Sequence, residues 1–147
     1  MSRKAKDLDQ LIRVNQWGVD ERQRELGVLL SRDDELIAQD QRLDAELAME
    51  QSVAASDPTN AGFLFGGYVG AYRLRKQQVV QLRRALAAEI EEARERLAEA
   101  FRQLKVYEEV QKERAQRERE EEAREEQIMM DEIGMTQYRR RQEEDAA

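Results

Sequence analysis

Apolar residues recur along the first third of the chain in alternating steps of four and three. The series runs Leu8, Ile12, Asn15, Val19, Arg22, Leu26, Leu29, Asp33, Leu36, Asp40, Leu43, Leu47, Glu50 and Ala54, and nine of these fourteen positions are apolar. A 3.5-residue repeat that never slips favours a left-handed coiled coil, because it keeps one stripe of a helix turned toward a partner. It predicts a helix over residues 5–55, about 75 Å long at the usual rise per residue. A second series passes through Tyr68, Tyr72, Arg75, Val79, Leu82, Leu86, Ile90, Ala93, Leu97, Ala100, Leu104 and Tyr107. It predicts a second helix over 68–133. Two successive steps of four, Leu82 to Leu86 to Ile90, make a stutter that locally unwinds a supercoil. Arg75 is the weak point of this register, and Leu74 offers a competing one.

Between the two series, Ser56–Gly70 holds the only proline, four of the seven glycines and two of the three phenylalanines. Proline lacks a backbone donor and fixes φ, and glycine visits positive φ cheaply, so a continuous helix is expected to stop here. A turn over 56–67 lets the second helix fold back along the first. The expected fold is all-α, a single two-helix antiparallel coiled-coil hairpin. Gly134 is the expected C-terminal stop, leaving 134–147 as a flexible tail. The polar seam residues Asn15, Arg22, Asp33, Asp40 and Glu50 either tune register at a cost in stability or loosen the seam for a partner. Gly18 and Gly27, each costly inside a helix, mark a bend, a close contact or a tolerated surface position. Trp17 lies off the seam, as a cover for neighbouring apolar surface or as an exposed anchor for a partner.

From Gln111 to Gln127 no apolar residue is larger than alanine. Glu113 with Arg117 and Glu120 with Arg124 have the spacing and order of helix-stabilising pairs, which suits a solvated helix. Apolarity then returns in Ile128, Met129, Met130, Ile133 and Met135. Methionine is flexible and suits adaptable binding surfaces, so a knob of this kind beyond a charged shaft points to insertion into another protein. The alternative is packing against Leu8, Leu11 and Ile12, and in a hairpin both hold together. Arg139, Arg140 and Arg141 follow, within reach of an acidic partner.

Composition narrows the function. Charged residues make up 39% and aromatic residues 5% of the 147, which suits a seam between long helices better than a three-dimensional core. The net charge of −7 argues against nucleic acid as the main partner. Cysteine and histidine are absent, which removes disulfides, thiol or imidazole catalysis and zinc-thiolate sites. No glycine precedes a Lys-Ser or Lys-Thr pair, and carboxylates on solvated helices lack the pocket that would shift their pKa. No enzyme, cofactor or metal is expected. The basic start, Met1 to Asp7, leads into no apolar run, and no stretch reaches the roughly 20 apolar residues that span a bilayer. A cytoplasmic protein with no direct membrane insertion is expected.

The order of these features carries a resemblance. A basic start leads into Leu8-Asp9-Gln10-Leu11-Ile12-Arg13-Val14 and a first heptad helix. A short Gly-rich turn, tyrosines opening the second helix and a Leu/Ala seam come next. Lys105-Val106-Tyr107-Glu108 enters the Arg/Glu run, and Met130-Asp131-Glu132 stands near the end. The arrangement resembles the FliJ family of flagellar export proteins and, more distantly, the stalk proteins of type III injectisomes. The resemblance implies a coiled coil similar to the central stalk of rotary ATPases, with its terminal end in the pore of the hexameric flagellar export ATPase. It also implies contact with the export-gate membrane protein and with export chaperones, at the inner face of the membrane. On that basis the ATPase contact is expected at Leu8, Leu11, Ile12, Ile128, Met129, Met130 and Ile133, and the gate contact at Tyr68 and Tyr72. The rival readings are a passive coiled-coil adaptor, including a homodimer through the first-helix seam, and a helical-hairpin chaperone that grips unfolded clients.

Overall fold

The computed structural model describes residues 3–147 and contains two helices, α1 (Arg3–Ser56) and α2 (Ala61–Ala146). α1 follows the expected range closely. The interruption is shorter than the expected 56–67, and α2 both starts before 68 and continues past 133. Proline, rather than glycine, accounts for the break. Pro58 disfavours helical geometry at Asp57 and offers no N–H. The Asp57 N–H still reaches the Val53 carbonyl at 3.1 Å, and the Ser56 hydroxyl donates to that carbonyl at 2.9 Å. Asp57 then opens the next helix: its carbonyl accepts the Gly62 N–H at 3.1 Å, and its carboxylate accepts the Asn60 N–H at 3.5 Å. Among the described residues no glycine has positive φ. Gly66, Gly67 and Gly70 are therefore ordinary helical residues of α2, as is Gly134, where a stop was expected.

The chain divides into two units, Val14–Arg102 and the residues up to Arg13 with Gln103–Ala147. In the first unit the helices run antiparallel. Asp33 pairs with Arg83, Asp40 with Lys76 and Asp44 with both Lys76 and Tyr72. Seven and then four residues forward on α1 correspond to seven and then four residues back on α2, so one register is kept throughout. Val19, Leu43, Val79, Leu86, Ile90 and Ala93 are buried in this unit. The expected α1 seam positions from Asn15 to Ala54 are buried or half-buried, with Glu50 the exception. Trp17 is 64% exposed, which removes it from any covering role toward α2.

The stripe on α2 differs from the expected one. Arg75 and Leu82 are exposed, whereas Lys76 is half-buried and Leu86 buried. The stripe passes through Phe65, Val69, Tyr72, Lys76, Val79, Arg83, Leu86, Ile90, Ala93, Leu97 and Ala100 in strictly alternating steps. Only Arg83 among these is classed as exposed, and no stutter occurs. The reason is chemical: Asp33 and Asp40 on α1 require cationic partners, and Lys76 and Arg83 can lay their methylene stems along the seam while the charges meet the carboxylates. Leu82 is thereby turned outward.

In the second unit Leu8 and Ile12 of α1 are buried, and the Gln111 amide donates to the Asp9 carboxylate at 2.6 Å. The adjoining groove is lined by Lys4, Ala5, Leu8 and Asp9 from α1 and by Gln111, Arg114, Ala115 and Glu118 from α2. The described part of α1 begins at Arg3, and α2 continues for about 40 Å past this groove. Every residue from 111 to 147 is exposed. Bonds within the helix support this extension. Gln116 donates to Glu120, Gln127 to Asp131 and Gln142 to Tyr138, each four residues apart, and the Thr136 hydroxyl donates to the Glu132 carbonyl. Glu120, expected to pair with Arg124, thus accepts from Gln116.

Candidate partner-binding surfaces

Two groups of residues stand out, one in each unit. In Val14–Arg102 a polar ladder crosses the seam. The Lys76 ammonium lies 2.8 Å from Asp40 and 2.9 Å from Asp44, and 5.8 Å from the centre of the Tyr72 ring. The Tyr72 hydroxyl donates to Asp44. Two turns away the Arg83 guanidinium meets both oxygens of Asp33, at 2.9 and 3.4 Å. The fork geometry of guanidinium and carboxylate makes this the most directional contact of the ladder.

These bonds set the acidities. Hydrogen bonds from Tyr72 and Lys76 hold the Asp44 carboxyl below its ordinary value, and the bond from Arg83 does the same for Asp33. Reciprocally, the bonds to Asp40 and Asp44 raise the Lys76 pKa, and the bond to Asp44 raises that of Tyr72. Tyr68 is raised mainly by its partial loss of water and then by Glu46 and Glu50. The charged forms of Asp33, Asp44 and Lys76 are thus favoured at neutral pH, and proton transfer among them is opposed. The ladder is suited to fixing register. Lys76, Arg83 and Asp44 did not emerge from the hydrophobic pattern; the available signal was the pair of aspartates in the α1 seam, which needed cationic partners at matching heights on α2.

The second group is the apolar cluster on the α2 extension. Ile128 is 59% exposed and Met130 67%, with Met129, Ile133, Met135 and Tyr138 similarly open. Leu8, Leu11 and Ile12 were expected at the same place, but the structure does not bring the two sets together. Leu8 lines a groove with Gln111, and Ile128 follows Gln111 by seventeen residues, about 25 Å along the helix. Leu11 is 39% exposed. Packing of the cluster on α1, the alternative to a partner surface, is therefore not what the chain adopts. Tyr68 and Tyr72, expected at a gate contact, are both half-buried, with the Tyr72 hydroxyl engaged by Asp44. The start of α2 offers more accessible apolar groups, Phe63 and Leu64, the former 86% exposed.

Among the described residues no cluster of acidic side chains has the arrangement of a metal site, and no helix is long and apolar enough to cross a membrane. Comparison with curated proteins and with solved structures finds no match. A family model does match: that of the flagellar FliJ protein aligns with residues 4–143, from the start of α1 to within a few residues of the end of α2. Both helices, the ladder and the exposed cluster fall inside that span, and on this match the chain belongs to the FliJ family, a component of the flagellar protein export apparatus.

Proposed function

We propose that the chain is a coupling component that binds the hexameric export ATPase through the α2 extension and the export gate through another surface. The observation that carries this reading is the apolar cluster Ile128, Met129, Met130 and Ile133, exposed on a part of α2 that no other described segment covers. A single helix is slender enough to enter the pore of a ring, and flexible methionines adapt to a surface whose shape changes through a catalytic cycle. Leu8 and Ile12, buried on α1, stand at the base of the extension, and Leu11 is assigned to the same ATPase contact. The gate contact is assigned to the start of α2, with Tyr68 and Tyr72 at its edge and Phe63 and Leu64 as its apolar part. Export chaperones bind the same export-apparatus component on surfaces outside the seam. Against an adaptor that dimerises through the α1 seam stands the burial of Val19 and Leu43 within the chain itself.

The combined substitution Ile128→Asp, Met129→Asp and Met130→Asp tests the ATPase assignment. The expected result is loss of binding to the ATPase ring and of any stimulation of ATP hydrolysis, with the helical circular dichroism signal unchanged. In the unaltered protein, stimulation is expected to saturate near one chain per ring. Undiminished binding by the triple variant would remove the extension from the contact.

A further inference from the structure

The chain holds five methionines and no cysteine. Its only sulfur is therefore thioether, and no thiol stands ready to consume an oxidant first. Three of the five, Met129, Met130 and Met135, fall within seven residues. They are 63%, 67% and 59% exposed. Met49, the other methionine among the described residues, is exposed on α1 and stands outside the cluster.

The three are spread round the helix. Met135 follows Ile128 by seven residues, which puts both on one face, two turns apart. Met129 and Met130 precede Ile133 by four and three residues, which makes them its neighbours on another face. Each isoleucine of the cluster thus shares its face with a thioether. The side-chain bonds at this point of α2 run from Gln127 to Asp131 and from Thr136 to the Glu132 carbonyl. They join polar groups only, so a change at sulfur leaves them in place.

We propose that Met129, Met130 and Met135 form a reversible oxidation site that turns the cluster from apolar to polar. Each thioether sulfur attacks one oxygen of hydrogen peroxide. The S–O bond forms as the O–O bond breaks, the sulfur gives up two electrons, and the second oxygen leaves as water after taking the proton. The product, methionine sulfoxide, carries a polar S=O acceptor where the thioether was. An apolar partner that covers it leaves that acceptor unpaired, which is unfavourable. The folded chain buries none of the three side chains, so it loses no packing. Methionine sulfoxide reductases, one for each epimer at sulfur, restore the thioether with two electrons from a dithiol, releasing the oxygen as water. The open surface of α2 gives them access. That oxidation releases the ATPase rests on the function proposed above; that it removes the apolar surface does not.

The test oxidises the full-length protein with hydrogen peroxide and locates the added oxygen by peptide mass spectrometry. Retention on a hydrophobic-interaction column then compares each chain with itself before treatment. The unaltered chain and Met49→Leu are expected to gain oxygen at all three positions and to lose retention. Methionine sulfoxide reductases A and B with dithiothreitol are expected to restore it. The combined variant Met129→Leu, Met130→Leu and Met135→Leu is expected to hold its own retention under peroxide. In an ATPase-binding assay the oxidised chain is expected to bind at least about tenfold more weakly than the reduced one. The proposal is overturned if the three methionines resist peroxide, if their oxidation leaves retention unchanged, if the leucine variant loses retention as the unaltered chain does, or if the reductases fail to reverse the change. Equal ATPase binding by the two forms would overturn the link to that contact. A reduced chain that does not bind the ATPase at all would instead remove the function proposed above, and the column and reductase results would decide the oxidation site alone.

Discussion

Asp33 and Arg83 show what a polar pair does in a coiled-coil seam. Both retain access to water, so the pair adds little net stability, yet a one-turn slip of either helix would leave a carboxylate and a guanidinium against apolar neighbours. Replacing both by leucine removes the desolvation cost and the registry constraint together. Asp33→Leu with Arg83→Leu is expected to melt higher than the unaltered protein while populating more than one helix register. Double electron–electron resonance between spin labels on α1 and α2 reads this as a broadened distance distribution. A single narrow distance in the double variant would show that the remaining contacts set the register alone. The same two residues mark the limit of the sequence reading. The α1 stripe was legible from Leu8 to Leu47 because leucine, isoleucine and valine dominate it. On α2 a leucine at 82 competed with an arginine at 83, and hydrophobicity favoured the leucine. Only the position of Asp33 on the other helix decides for Arg83, and a pattern read along one strand of sequence does not contain that coupling.

At the scale of the element, α2 runs through a glycine-rich start and a second glycine at 134 without a break. The sequence reading placed helix ends at both because glycine is the commonest helix terminator, but a terminator acts only where the chain gains contacts by turning. At Gly134 no such contacts exist, and the helix continues. Glycine still carries its backbone entropy, up to about 1 kcal/mol per residue relative to alanine in a helix interior. A Cβ built on Gly66 or Gly67 meets no atom within 4 Å. Gly66→Ala and Gly67→Ala are therefore expected to raise stability additively by up to about 1 kcal/mol each, measured by urea unfolding. A loss of stability in either variant would indicate that the start of α2 needs the freedom glycine gives. The exposed cluster was legible for the opposite reason: nothing in the charged run before it has the apolar surface to cover it.

For the whole molecule, acid and base stability follow from the ladder. The Asp33 and Asp44 carboxyls are depressed below their ordinary 3.8, so the folded chain binds these protons less readily than the unfolded chain. Their contribution is complete above that ordinary value and is lost as pH falls through the depressed folded values. Lys76 and Tyr72 are shifted upward, so their contribution is complete below the ordinary lysine and tyrosine values and is lost as pH rises through the raised ones. Stability of Val14–Arg102 is expected to be flat around neutrality and to fall on strong acidification. Amide exchange at Val79 and Leu86 measures it within that unit. Asp44→Asn is expected to flatten the acid limb, and an unchanged limb would detach Asp44 from it.

Trp17, the one tryptophan, faces solvent on α1. Its indole is already largely hydrated in the native state, so its emission is expected to lie close to that of the unfolded chain and to change little when the helices separate. Tryptophan fluorescence is therefore a poor report of folding here and a clean optical report of occupancy. A blue shift on adding an export chaperone would mean that the outer face of α1 has been covered, and a static spectrum would mean that the chaperone sits elsewhere.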